Sequence, residues 1–259
     1  MNLVRILGLS FFSASVGEAA KHGLSGGLTV VPSAPSLVRL VDDRAYRNAM
    51  THADTVLTDS GFMVLLWNLL HREKIVRVSG LVYLSEILSD KEFRCPGHTF
   101  WIMPHERAVS MSIEWLATRG ISINREDSYI APRYADTGPI EDTKVLELIA
   151  MRRPSQIVVA LGGGVQEKLG WYLRQHLDYV PGIHCIGAAI GFLSGDQVYI
   201  PRWADSLFLG WLLRCLYRPD LYVPRYIEAW RLFPLIVKFR DRLPPFRNRD
   251  IQNKKIVDR

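Results

Sequence analysis

The chain is poor in cysteine. It has three, Cys95, Cys185 and Cys215, in 259 residues. The number is odd and the spacing wide, with no CxxC and no Cys/His pairing, which argues against a disulfide framework or a zinc motif and for a reducing compartment. No stretch reaches the roughly 18–20 uninterrupted apolar residues of a membrane-spanning helix. Internal repeats and low-complexity tracts are absent, so no repeat architecture is indicated. HExxH, GxSxG, GxGxxG and the P-loop Lys-Ser/Thr are missing, which weakens metalloprotease, hydrolase, NAD and ATP assignments. The seven histidines are scattered and suit surface or packing roles. No metal-ligand set or cofactor motif emerges.

What the chain has is apolar content: 48% of it, against 22% charged. That supports one large domain, or one domain with an appendage, and excludes wholesale disorder. The formal charge of +6 is unevenly placed: residues 202–259 carry +7 and the first 201 carry −1. A near-neutral body with a basic tail points to an anionic partner for the tail alone. The expected division is an α/β body over 1–201 and a basic, aromatic-rich helical appendage over 202–259.

The N-terminus imitates a signal peptide, with Arg5 ahead of Ile6 to Phe12 and small residues near Ala19-Ala20. The imitation is imperfect, because Val4 to Leu9 also reads as a buried strand and Ser13 to Lys21 as a short helix. Further on, strand-like runs at Leu28–Val31, Thr55–Leu57, Thr99–Met103, Gln156–Leu161 and Ile183–Gly187 alternate with helical patterns. Those helices are expected over Phe62–His71, Leu81–Leu88, Glu106–Thr118, Thr143–Met151 and Gln166–Leu177. This alternation is the mark of an α/β fold with a mostly parallel sheet flanked by helices, Rossmann-like in plan.

Near Arg202 strand signals cease and aromatic, cationic and proline residues take over. From Arg225 onward Tyr226, Trp230, Phe233 and Val237 share a narrow helical arc, with Arg231, Lys238 and Arg242 well away from it. Leu235 falls on the charged side, and Pro234 should kink or break any helix through it. The run Leu207 to Tyr217 is apolar nearly all round, broken by Gly210 and Arg214. Trp, Tyr and Arg in such pieces suit an anionic membrane interface. The plainer alternative is an apolar arc packed on the body with a solvated cationic face. Nucleic-acid binding is disfavoured, since no helix-turn-helix, zinc-finger or RNA-binding signature accompanies the charge.

Three segments can carry chemistry. In Ala53 to Gly61, the strand-like Val56-Leu57 delivers Asp59 to the C-terminal edge of the sheet, where open α/β sheets bind ligands. A carboxylate there can act as a general base toward an attacking hydroxyl, although from this turn alone a helix N-cap is the plainer assignment. Arg77, just before the next helix, has the planar fork that matches a diphosphate, or is a surface arginine. Gly162, Gly163 and Gly164 lie between a strand and the helix opening at Gln166-Glu167, a turn whose backbone N–H groups can cradle an anion or merely turn tightly.

Taken in order and spacing, Ala53-Asp54, Asp59, Arg77-Val78-x-Gly80, Gly162-x-x-x-Gln166-Glu167, Pro201-x-Trp203, Trp211-x-x-Arg214, Pro219 and Arg225-Tyr226 resemble the bacterial WecG/TagA/CpsF glycosyltransferase family, over about Val4 to Phe239. The resemblance implies the family's GT-E type fold and an inverting hexosyltransferase. Such an enzyme moves a sugar from a nucleotide diphosphate, usually UDP, to a polyprenyl-diphosphate-linked acceptor at the cytoplasmic face of the membrane, in exopolysaccharide, capsule or cell-wall assembly. By it Asp59 is similar to the catalytic base and Arg77 to a diphosphate or acceptor contact. Ser33, the three glycines, Gln166 and Glu167 fall in the substrate pocket, and Arg214 and Arg225 in a C-terminal appendage that completes the site. It implies no cofactor and no required metal, so the leaving diphosphate relies on arginines and backbone dipoles. A homo-oligomer is compatible with it.

The sequence departs from the family pattern around that pocket. Asp-Gly is Asp59-Ser60, Pro-Lys-Gln-Glu is Gly164-Val165-Gln166-Glu167, and the Asp before Phe192-Leu193 is Gly191. Arg-Ala-Pro is Tyr199-Ile200-Pro201, and an Asn aligns with Ser33. The family's common N-acetylmannosamine-type donor therefore does not follow. The alternative is a non-catalytic, membrane-recruited protein that binds a nucleotide sugar without turning it over.

Overall fold

The strands are β1 (Leu3–Ile6), β2 (Leu9–Phe12), β3 (Gly27–Val30), β4 (Thr55–Leu57), β5 (Thr99–Met103), β6 (Ser128–Ile130), β7 (Gln156–Val159) and β8 (Gly182–Cys185). They form one sheet in the order β1-β2-β4-β3-β8-β7-β5-β6. Among the described residues only β1 and β2 pair antiparallel, and every other pairing is parallel. This computed structural model describes residues 3–72, 74–197, 201, 204 and 209–247. Tyr199, Ile200, Arg202, Trp203, Leu207, Phe208 and residues 248–259, which enter the motifs and tail charge above, lie outside the described residues.

The parallel plan expected from the alternating pattern is present. The central strands are covered on both sides, so they read as unbroken apolar runs. Successive residues face opposite sides: Phe100 and Ile102 enter one core, Trp101 and Met103 the other. Helices α1 (Val16–Leu24), α5 (Gly80–Ile87), α6 (Glu106–Ala117) and α9 (Ala189–Ser194) cover the second of these faces. The first is covered by α2 (Ala34–Val38), α3 (Arg44–Thr51), α4 (Gly61–Leu70), α7 (Thr143–Arg152) and α8 (Gln166–His176). The chain continues through α10 (Gly210–Tyr217), α11 (Pro219–Ala229) and α12 (Leu232–Phe239), of which α11 and α12 place Ala229, Leu232 and Ile236 in that same core.

Two expectations are corrected. The run Val4–Leu9 is not one strand: Leu7 and Gly8 both have positive φ, 51° and 78°, and turn the chain into a β1–β2 hairpin. The apolar residues that imitate a signal peptide are buried in this hairpin. In the tail, the helix breaks at Trp230-Arg231 rather than at Pro234. Pro234 then falls in the first turn of α12, where a backbone N–H would have no helical partner to lose. Trp230, Phe233 and Val237 of the apolar arc are exposed, with Trp230 edge-on to the Phe62 ring (5.3 Å), while Leu232 and Ile236 beside them are fully buried.

One buried polar chain crosses the second core. The Gln156 amide donates to the Leu24 carbonyl (3.1 Å), which turns its Oε1 toward His184 Nε2 (2.8 Å). Nε2 therefore carries the proton, and Nδ1 accepts from the Tyr83 hydroxyl (2.8 Å). Complete burial pushes the His184 pKa down to about 3. The unfolded chain takes up a proton below about pH 6.5 and the folded chain does not, so stability present above pH 6.5 is lost on acidification. Linkage sets the loss from this group at about 2 kcal/mol by pH 5. Urea unfolding at pH 7 and pH 5 should show that drop in the wild type, and a His184→Gln variant should lack it.

Candidate functional site

The C-terminal ends of five parallel strands meet at one edge, in the order β4, β3, β8, β7, β5. The crossover from β5 through α6 runs outward to β6, and that from β7 through α8 runs the other way to β8, on the opposite face. Such a reversal opens a crevice at the strand ends, where ligands bind in open α/β sheets.

Asp59 follows β4 and is held by a zipper to the segment before α5. Thr58 Oγ1 donates to the Val76 carbonyl (2.7 Å) and accepts from Val78 N (3.0 Å). Gly80 N donates to Asp59 Oδ1 (2.8 Å), Arg77 Nε donates to the Asp59 carbonyl (2.7 Å), and Arg77 Nη2 lies 3.9 Å from Oδ1. The N-cap of α4 is Ser60, whose hydroxyl accepts from Met63 N (3.2 Å). The capping task that the sequence offered Asp59 is thus performed by its neighbour, and the Asp59 carboxylate faces the crevice, about a quarter exposed (24%).

The glycine turn follows β7. Gly164 has φ +92°, and a Cβ there would stand 2.6 Å from Arg39 Nη1, so only glycine fits. Behind the turn, three consecutive polar residues at the start of α8 are buried: Gln166, Glu167 and Lys168. Glu167 Oε2 accepts from Gly164 N (2.6 Å) and Oε1 from Gln166 Nε2 (3.3 Å). Gln166 Oε1 in turn accepts from Gly187 N (2.6 Å) in the loop after β8. Lys168 donates to Asp43 Oδ2 (3.3 Å) and the Asp136 carbonyl (3.1 Å). Burial pushes the Glu167 carboxyl above its ordinary value although backbone and side-chain donors oppose the shift.

Two cavities open from this edge. The larger, about 390 Å³, is lined by Asp59, Arg77, Ser33, Gly162, Gly163 and Gln166, together with Arg214 and Arg225 from the C-terminal helices. Gly164 and Glu167 do not line it; Glu167 faces the turn from behind. The smaller, about 330 Å³, is walled by Phe62, Leu65, Trp211, Tyr226 and Trp230. Asp59, Arg77, Ser33, Arg214 and Tyr226 border both. Arg214 stacks over Phe192 (4.5 Å), its Nη1 reaches the Tyr226 hydroxyl (3.4 Å), and its Nε is buried without a partner among the described residues. Ser33 Oγ is 2.9 Å from Ser36 Oγ. Arg77, Arg214 and Arg225 give the larger cavity a cationic lining suited to a diphosphate. Among the described residues no three His, Cys, Asp or Glu side chains converge to hold a metal ion.

The structure places Asp59, Arg77, Gly162 and Gly163 on one cavity; sequence reasoning did not foresee the aromatic wall or the lining residues His105 and Asp196. His105 follows β5 as Asp59 follows β4, so the same strand-end logic reaches it. Asp196 lies in a loop with no such signal.

Both oxygens of Glu167 accept hydrogen bonds, so a carboxamide must turn its NH2 toward Gly164 N–H or the Gln166 amide, both donors. Glu167→Gln should lower stability by about 1–3 kcal/mol, read by urea unfolding at pH 7.

The model of the glycosyl transferase WecG/TagA/CpsF family matches residues 4–245. No curated protein matches the chain. With nearly its whole length matched by that model, the chain belongs to the WecG/TagA/CpsF family of glycosyltransferases.

Proposed function

We propose that the chain is an inverting glycosyltransferase of cell-surface polysaccharide assembly, transferring a sugar from a UDP-type donor to a polyprenyl-diphosphate-linked acceptor at the cytoplasmic membrane face. The observation that carries this reading is the meeting of two unlike cavities at Asp59 and Arg77. One has a glycine turn and arginines for a nucleotide diphosphate, and the other has aromatic and aliphatic walls for the acceptor's lipid-proximal part.

In this reading the acceptor hydroxyl gives its proton to Asp59 as its oxygen bonds the anomeric carbon from the side opposite the diphosphate. The bond to the diphosphate oxygen breaks with its electron pair leaving on that oxygen, so the anomeric configuration inverts. Arg77 and Arg214, which border both cavities, and Arg225 stabilise the charge that develops on the leaving group. Asp59 remains oriented throughout by Gly80 N.

The exposed face of α10 to α12 supports the membrane part of the reading. Trp211, Leu216, Tyr217, Ile227, Trp230 and Phe233 are exposed there, with Leu65 and Leu69 exposed on α4. Arg218, Arg225 and Lys238 lie among the same helices. Aromatic and aliphatic side chains with flanking cations suit the headgroup region of an anionic leaflet. Among the described residues no helix is long and apolar enough to cross a membrane.

Asp59→Asn keeps an oxygen for Gly80 N and loses the base. Transfer from a panel of UDP-sugars to short-chain lipid-diphosphate acceptors, read by mass shift, should fall by roughly 10²–10⁴-fold with the unfolding midpoint unchanged. Near-wild-type turnover would overturn the assignment. Leu216→Glu with Ile227→Glu, both outside the cavities, should weaken sedimentation with phosphatidylglycerol vesicles at least tenfold and leave the fold intact. Unaltered sedimentation would remove these helices from the membrane contact.

A further inference from the structure

The larger cavity contains, beside His105 at the β5 end, a carboxylate to which the reaction above gives no task. Asp196 follows α9 and lines the cavity, with its side chain only 5% exposed. Its partners are distant: His105 Nε2 lies 3.6 Å from Oδ2 and Arg107 Nε 3.5 Å from Oδ1, both longer than a well-formed hydrogen bond. His105 Nδ1 accepts from Ala108 N (3.1 Å) as the N-cap of α6, so the neutral ring carries its proton on Nε2, facing Asp196. Ser112, on the same helix and lining the same end, has a buried hydroxyl with no partner among the described residues.

The loop is built to bring Asp196 there. Gly195 turns with φ +84°, and Gln197 N donates to the Gly191 carbonyl (2.9 Å). A Cβ on Gly191 would stand 2.7 Å from Gln197 Cγ, so the close return of this loop depends on glycine at 191. The Tyr222 hydroxyl, from α11, reaches Gln197 Oε1 (3.3 Å) and holds the loop from the other side.

Position decides what this carboxylate meets. Asp59 stands at the end of β4 and His105 at the end of β5, four strand spacings apart, or about 19 Å. On the proposed function the sugar's anomeric carbon lies at Asp59 and the diphosphate bonded to it runs along the cavity toward the glycine turn after β7, which leaves the nucleoside for the β5 end. An ionised carboxylate only accepts hydrogen bonds. Of the groups in a nucleoside, the ribose diol offers two adjacent donors, one for each oxygen. We infer that Asp196 receives the ribose hydroxyls of the donor nucleoside diphosphate, with His105 beside it, and so sets a preference for ribonucleotide over deoxyribonucleotide donors.

This inference rests on the nucleotide reading of the cavity, and calorimetry with the full chain separates the two. UDP, which carries no sugar that could compete for Asp196, is compared with 2′-deoxy-UDP and 3′-deoxy-UDP. The wild type should bind UDP at least tenfold more tightly than either analogue. Asp196→Ala should bind UDP about tenfold more weakly and bring all three ligands to within twofold of one another. Asp196→Asn, nearly isosteric and safe for the fold, should at least halve the preference, because it removes the charge from the hydrogen bond. If UDP binds but the wild type shows no preference, or the preference survives in both variants, the assignment of Asp196 is overturned and the nucleotide site stands. If the wild type does not bind UDP, the reading of the cavity fails and this inference fails with it.

Discussion

Burying a polar side chain is costly unless its hydrogen bonds are met, and three such residues in a row begin α8. Gln166, Glu167 and Lys168 are each almost wholly removed from water. Each meets its need in a different loop: the turn after β8, the glycine turn itself, and the cap of α3 with the 135–136 segment. Two loops that line the larger cavity, the glycine turn and the turn after β8, are therefore fixed by a local demand at the start of one helix, before any ligand arrives. A preformed cradle of this kind spares a bound anion the ordering of the backbone around it.

The same edge of the sheet brings unlike chemistries together. A parallel sheet points every strand end the same way, so turns far apart in sequence, after Leu57, Val30, Cys185, Val159 and Met103, become neighbours in space. The C-terminal helices then add what the sheet cannot supply, the Arg214 and Arg225 cations and the Trp211, Tyr226 and Trp230 wall. Polar and apolar cavities share a boundary because α4 and α11 approach one side of Asp59 while the glycine turn lies on the other.

Much of this was legible in the residues. The five expected strands and the five main helices of the body are present with ends shifted by at most two residues, because short unbroken apolar runs bounded by turn residues and amphipathic helices are the most legible patterns. β6 was not legible: it is three residues long, and Ser128 and Ile130 flank a single aromatic. The hairpin was hidden because Leu7, a buried apolar residue, adopts the positive φ usually left to glycine. Asp59 was found by its strand, but that Ser60 rather than Asp59 caps α4 is a choice between adjacent residues that spacing does not make. Which part of the tail's apolar stripe meets the body was not legible: Ala229, Leu232 and Ile236 lie beside the Trp230, Phe233 and Val237 arc on the same wheel, and spacing alone does not say which of the two sets is buried.

After α12 the chain returns to its beginning. Leu7 N and Gly8 N, at the tip of the hairpin, donate to the carbonyls of Arg240 and Asp241. Arg47 donates to the Pro244 carbonyl and stacks on Phe246, and Arg247 N donates to the Val41 carbonyl. The C-terminal helices are thus strapped to the body beyond their far end as well as packed against it, so they behave less like a swinging arm than like the span of a bridge. Outward rotation of these helices has to break that far anchorage as well as the packing of Leu232 and Ile236 in the core.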